Sequence, residues 1–183
     1  MGMVAPIYYT ADMVRALPND GNRYEVVYGE LLVTPAPRAW HQEVLVRLLE
    51  ALRSYVKAAA PDHHVFVSPA DISWSDDTLV QPDVFVVPVV QARTLDWARI
   101  RDLQLVIEVL SPSSSRADRF TKRRLYQERL VPLYWVVDAQ ERLVDVWTPE
   151  VQFPVVERMR LTWSPMGASR PFMLELAELF QPI

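Results

Sequence analysis

The sequence contains no cysteine, which excludes disulfide bonds and any zinc or redox chemistry carried by thiolates. A reducing, cytoplasmic setting is compatible with that absence. There is no apolar run approaching the ~18 residues of a membrane helix. The most apolar stretch, 79–90, is broken by Asp83 and two prolines. Met1 to Thr10 lack the basic segment followed by an apolar stretch that marks a secretory signal. Lysine is nearly missing: Lys57 and Lys122 stand against 17 arginines. A chain that prefers arginine this strongly keeps lysine where a compact ammonium is needed, so Lys122 draws notice from composition alone. The net charge of −4 argues against a dedicated nucleic-acid binder. Arg116, Arg119, Lys122, Arg123, Arg124 and Arg129 nevertheless crowd one short segment, readable as a solvated helix face or as a basic surface.

What is present fits one domain over residues 1–183, large enough to bury a core without covalent staples. Thr10 is placed to cap a short helix ending near Leu17. Residues 23–27 and 30–34 read as a hairpin around Tyr28-Gly29. From Trp40 to about Ala59, Val44, Leu45, Leu48, Leu49, Leu52, Tyr55 and Val56 recur at helical spacing. Short strands follow at 64–67, 70–74 and 82–87, then a helical turn in 95–101. A strand at 103–110, a helix at 115–130, strands at 133–137, 142–147 and 153–161, and a short terminal helix at 174–180 complete the order. This predicts an α/β fold with a central mixed sheet flanked by helices.

Chemistry is expected where charge interrupts apolar strands. Glu108 is the only charge in Leu105-Val106-Ile107-Glu108-Val109-Leu110, and Asp83 opens Asp83-Val84-Phe85-Val86-Val87. A buried carboxylate persists only if paired, protonated or bound to a metal; a strand-end Glu can instead reach solvent or an arginine. If the two strands are antiparallel neighbours, Asp83 and Glu108 meet at one rim, where a cation such as Mg²⁺ or Mn²⁺ would relieve their repulsion. Asp118, Lys122 and Tyr126, spaced by four, share one helix face, and Lys122 is placed to reach that rim. Asp118 also fits a capping box with Ser115. His41 is a structural or a site residue, and Glu30 a site-supporting acid or a solvated hairpin residue.

These residues carry a family pattern. Gln81-Pro82-Asp83-Val84, Ile107-Glu108-Val109-Leu110-Ser111-Pro112-Ser113, Asp118-Arg119 with Lys122, and Tyr134-Trp135-Val136-Val137-Asp138 resemble the Uma-type family of "putative restriction endonucleases". Tyr24-Glu25, Gly29-Glu30-Leu31 and His41 agree, and the likeness spans roughly residues 5 to 182. Such proteins are similar to PD-(D/E)XK nucleases, which implies a restriction-endonuclease-like core. It also implies a metal held by Asp83, Glu108 and the backbone carbonyl of Val109, and an assisting lysine. The usual lysine position is Leu110 here, and the Uma-type pattern moves that lysine to the following helix, at Lys122. The more usual Gly-Glu-Lys reads Phe120-Thr121-Lys122. The resemblance therefore implies Mg²⁺-assisted phosphodiester hydrolysis, most readily of DNA, by Asp83, Glu108 and Lys122. Arg116, Arg119, Arg123 and Arg124 would hold phosphates. The alternatives are a nuclease-fold module that binds DNA or a partner protein without cutting, and a homodimer using an apolar face near residues 143–147.

Overall fold

The computed structural model describes residues 7–183. It opens with α1 (Ala11–Arg15), where the Thr10 side chain accepts from the Met13 N–H. The hairpin of β1 (Arg23–Val27) and β2 (Glu30–Thr34) follows in the expected register, with Val27 opposite Glu30. Its turn needs positive φ at both central residues, and Tyr28 (54°) and Gly29 (76°) supply it. At Gly29 a side chain is also excluded by space, since an added Cβ would lie 2.3 Å from the Tyr8 ring.

The long helix α2 (Ala39–Ala59) buries the stripe expected of it, with Val44, Leu48 and Leu52 fully enclosed. Each such side chain contributes about 1.5–3 kcal/mol relative to exposure. Then come β3 (His63–Val67), β4 (Ile72–Ser75), β5 (Thr78–Val80) and β6 (Val84–Pro88). Next are α3 (Val89–Ala92), a 3₁₀ turn at Trp97–Arg99, and β7 (Leu105–Val109). A π-helical stretch, Ala117–Lys122, runs into α4 (Arg123–Glu128). The chain closes with β8 (Tyr134–Asp138), β9 (Leu143–Trp147), β10 (Val155–Glu157), β11 (Arg160–Trp163), β12 (Phe172–Glu175) and α5 (Leu176–Leu179).

Six strands form the central sheet in the order β10-β9-β8-β7-β6-β3. It is mixed: β7 and β8 run parallel, joined through α4, while its other pairs are antiparallel. Strand alternation sorts its side chains onto two covered faces. Val84, Val86, Ile107, Val109, Trp135 and Val137 meet α2 and α5. Phe85, Val87, Val106, Tyr134 and Val136 meet Leu125 and Tyr126 of α4 and residues of a second sheet, ordered β2-β1-β5-β4. The expected α/β architecture is therefore present, with a second small sheet helping to cover the α4 face.

The structure corrects several expectations. The segment 153–161 holds two strands: β10 pairs with β9, whereas β11 pairs with β12. The suggested apolar face at 143–147 is interior, because β9 lies between β8 and β10 and buries Leu143, Val144 and Trp147. The exposed apolar residues lie one strand outward, at Phe153, Val155 and Val156. Among the described residues no helix is long and apolar enough to cross a membrane.

Candidate functional site: a buried acid cluster beside a cleft

β6 and β7 are antiparallel neighbours, with Val84 opposite Ile107. The residue before β6 therefore meets the end of β7, and the Val109 N–H donates to Asp83 Oδ2 at 2.8 Å. Within β7, Ile107 and Val109 turn to α2, so Glu108 points to the α4 face, where it is fully buried. The solvent-reaching reading of Glu108 is thereby removed.

The π-helical turn faces Glu108. Asp118 and Lys122, four apart, are both 1% exposed, and Lys122 Nζ lies 3.0 Å from Glu108 Oε1 and 3.2 Å from Asp118 Oδ1. A π-turn inside a helix is frequently found at functional sites. The Ser115 capping role expected for Asp118 is not what its carboxylate does; it faces the lysine. Tyr134 supports the turn by donating its hydroxyl to the Asp118 carbonyl at 2.9 Å. Tyr126 packs in the core and aims its hydroxyl at Glu108 Oε1, 3.4 Å away.

The fourth acid, Glu25 of β1, was not among the sequence candidates for the site. It is 1% exposed, accepts from the Gln81 N–H at 2.7 Å, and places Oε2 2.8 Å from Lys122 Nζ. Val26 and Val27 occupy opposite faces of β1 and are both fully buried, so Glu25 is a lone carboxylate in a doubly covered strand, as Glu108 is. Glu30, the acid expected from the same hairpin, is exposed at the turn and takes no part.

Asp83 has its own partners. Arg23 Nη1 lies 2.7 Å from Oδ1, and His41 Nε2 lies 3.3 Å from Oδ2. His41 is brought there by the first turn of α2. Arg23 was also missed; in an arginine-rich chain one more arginine in a strand carries no signal.

The cluster thus joins Glu25, Asp83, Glu108 and Asp118 with Lys122 and Arg23, leaving two formal negative charges in excess. Burial, the largest influence on Asp83, raises its pKa, but His41 and Arg23 outweigh it and hold the carboxyl at about 2. Burial pushes Glu108 well above the ordinary range; Lys122 opposes, and Asp118, Asp83 and Glu25 add to the rise. Asp118 is raised for the same leading reason, against Lys122. Burial works against charge on Lys122, but Glu108, Glu25 and Asp118 prevail and hold it well above its usual value. Lys122 is therefore an ammonium.

Two openings reach the cluster. A cleft of about 810 Å³ is lined by Asp83, His41, Arg23, Arg38, Arg15 and the Ser111–Ser114 loop, among others. A smaller pocket of about 130 Å³ touches Glu25, Asp118 and Lys122. The donors that could hold an ion are all oxygens. Glu25 Oε2, Asp118 Oδ1 and Glu108 Oε2 are buried without a hydrogen-bond partner in the described structure. The first two face the Lys122 ammonium, whereas Glu108 Oε2 has no ion-pair partner either, and such an atom is costly unless something binds it. Among the described residues no three carboxylate or imidazole groups converge to cage an ion unaided.

The basic segment behaves differently from expectation. Arg119 forks between Asp138, at 2.9 Å, and Asp145. Arg123 stacks on Trp147, 4.8 Å from the ring centre, and donates to Gln127. Arg124 pairs with Glu128 at 2.8 Å and lies over the Tyr28 ring. Arg116 is exposed. None of the four lines the cleft, whose cationic residues are Arg15, Arg23 and Arg38.

Comparison with known proteins bears on the fold and the family. No curated protein matches the chain. The fold is similar to a crystal structure described as a putative nuclease belonging to DUF820 from Anabaena variabilis. That likeness has a TM-score of 0.74 and 22% identity, and covers 93% of this chain and 97% of that one. The profile of the Uma2 family, described as "Putative restriction endonuclease", matches residues 11–169. The chain belongs to the Uma2 family.

Proposed function

We propose that this protein is a divalent-metal-dependent nuclease that hydrolyses phosphodiester bonds, with DNA as substrate. The observation that carries the reading is the buried cluster of four carboxylates with Lys122 and Arg23, formally two charges short of neutrality, beside a cleft lined by arginines. Asp83 and Glu108 would hold Mg²⁺ or Mn²⁺, with the Val109 carbonyl, and the orphaned Glu108 Oε2 supports that role. Once bound, the ion supplies Lewis-acid polarisation of the phosphate and activation of a water.

The chain's own residues do the rest. Asp83 stays ionised at the cleft wall because Arg23 and His41 keep its pKa low. Lys122, kept protonated by its three acids, donates rather than accepts. It orients the attacking water or stabilises negative charge gathering on the phosphate oxygens. Glu25 and Asp118 fix the ammonium from two further sides. Arg38, exposed and in no ion pair among the described residues, is free to hold a backbone phosphate; Arg15, which lines the same cleft, is paired with Asp12 and Asp71.

A second reading, a module that binds nucleic acid or protein without cutting, draws on one observation: both Asp83 oxygens already have partners. The test is cleavage of plasmid and single-stranded DNA under Mg²⁺ and Mn²⁺ by the wild type and by Asp83→Asn. Metal-dependent cutting lost in the variant is expected. A wild type that binds metal and DNA but leaves both substrates intact establishes the second reading.

A further inference from the structure

Two cations are enclosed with the four acids, and they are held differently. Lys122 is 1% exposed, with three carboxylates within 3.2 Å. The Arg23 side chain is 20% exposed, forms part of the cleft wall, and makes one close ion pair, to Asp83 Oδ1 at 2.7 Å. Its Nη1 also donates to the Gln81 carbonyl at 3.3 Å, its second acid, Glu25, is 3.7 Å away, and its buried Nε has no hydrogen-bond partner in the described structure. Lys122 is locked in among three acids; Arg23 is held through one nitrogen at the boundary.

Asp83 offers about four lone-pair positions. The Val109 N–H and His41 take Oδ2, and Arg23 takes Oδ1. A dication on this carboxylate would face a guanidinium a few ångströms away, and like charges repel strongly in a site this dry. Of the two, only Arg23 has somewhere to go. The cleft beside it is where a phosphodiester would lie, and the planar guanidinium fork matches phosphate oxygens in a bidentate manner.

We infer that Arg23 is an exchangeable counter-ion. It neutralises Asp83 in the metal-free protein and passes to a phosphate of the bound strand when a divalent cation takes Asp83. The inference rests on the reading of Asp83 and Glu108 as metal ligands. Metal loading then frees a phosphate anchor, and the phosphate draws Arg23 off the metal's carboxylate, so each ligand favours the other.

The test is calorimetric titration of Mn²⁺, with and without a phosphorothioate oligonucleotide, into wild type, Arg23→Gln and Asp83→Asn. Arg23→Gln should bind Mn²⁺ more tightly without oligonucleotide, by about tenfold. It should also bind the oligonucleotide more weakly and lose the tightening of Mn²⁺ that the oligonucleotide produces in the wild type. A purely structural Arg23 would do the opposite, loosening Mn²⁺. Unchanged or weaker Mn²⁺ binding in a folded Arg23→Gln overturns the inference while leaving the metal site intact. Wild-type binding that is absent, or persists in Asp83→Asn, overturns the metal reading itself. Should Arg23→Gln not fold, the wild type decides. The ¹⁵Nε–H signal of Arg23 should shift and lose exchange protection on adding Mg²⁺ and oligonucleotide, and an unmoved signal refutes the exchange.

Discussion

Two sides of the π-helical stretch Ala117–Lys122 each present a cation to carboxylates, with opposite consequences. On one side Arg119 forks between Asp138 and Asp145 at a partly exposed surface, and Asp138 also caps the turn by accepting from Gln140 and Glu141 N–H groups. Its polar atoms are satisfied, and solvent is near. On the other side Lys122 faces three fully buried carboxylates, each with an oxygen lacking a hydrogen bond, and one of these, Glu108 Oε2, has no ion-pair partner either. The first arrangement ties a helix to a sheet. The second concentrates charge that the protein alone does not balance, which is the condition under which a bound ion lowers the energy of the fold.

This contrast sets the sizes of the expected effects. Lys122→Met strands the buried acids. In EDTA it should lower the unfolding free energy by about 3–5 kcal/mol in urea titrations, with part of the loss restored by Mg²⁺. A loss under ~1 kcal/mol would place Lys122 with ordinary surface pairs. Lys122→Arg keeps the charge but replaces a compact ammonium with a bulky plane. Cleavage should fall by ~10²-fold or more, whereas Lys57→Arg, on α2, serves as control.

The acids give the next test. Glu108 and Asp118 are raised from their ordinary 4.5 and 3.8, and Asp83 is lowered from 3.8 to about 2. A raised carboxyl contributes stability that is present below its ordinary value and lost as pH climbs through its folded value. A lowered one contributes stability present above its ordinary value and lost as pH falls through its folded value. The metal-free chain should therefore weaken from pH 4.5 upward through Glu108, and below 3.8 towards 2 through Asp83. Urea titrations in EDTA across that range should show a flatter upper limb in Glu108→Gln; an identical limb would remove Glu108 as its source. The smallest effect belongs to the balanced side. Arg119→Met leaves one buried acid, Asp145, unpaired near solvent and should cost about 1–2 kcal/mol, and a cost near that of Lys122→Met would erase the contrast.

Much of this was legible in the sequence because burial leaves a local trace. The α2 stripe, the hairpin around Tyr28-Gly29 and the doubly apolar β7 each declare themselves within a few residues. Asp83 and Glu108 were singled out because charge stands out against such surroundings, Lys122 because lysine is so scarce, and Asp118 by its spacing of four from Lys122. What was hidden depends on distant partners. β5 is three residues long and meets β1 only where Val26 faces Leu79, and β12 exists by pairing with β11. The π-turn leaves no mark, since the same residues would also satisfy an α-helix. Glu25 escaped because β1 reads as a half-exposed hairpin strand until the second sheet is seen to lie against α4. Two of the arginines were hidden for the converse reason: the partners of Arg119 and Arg123, Asp138, Asp145 and Trp147, come from strands later in the chain.

The central claim is that the buried acids await a divalent cation. The most direct measurement is thermal unfolding in EDTA and in rising Mg²⁺, for the wild type and Glu108→Gln. An ion that binds only the folded chain adds about 2.7 kcal/mol at a hundred times its Kd, so the wild-type Tm should climb with Mg²⁺ while that of Glu108→Gln stays flat. An equal climb in both would mean the ion binds elsewhere, and no climb in either would mean the cluster is structural.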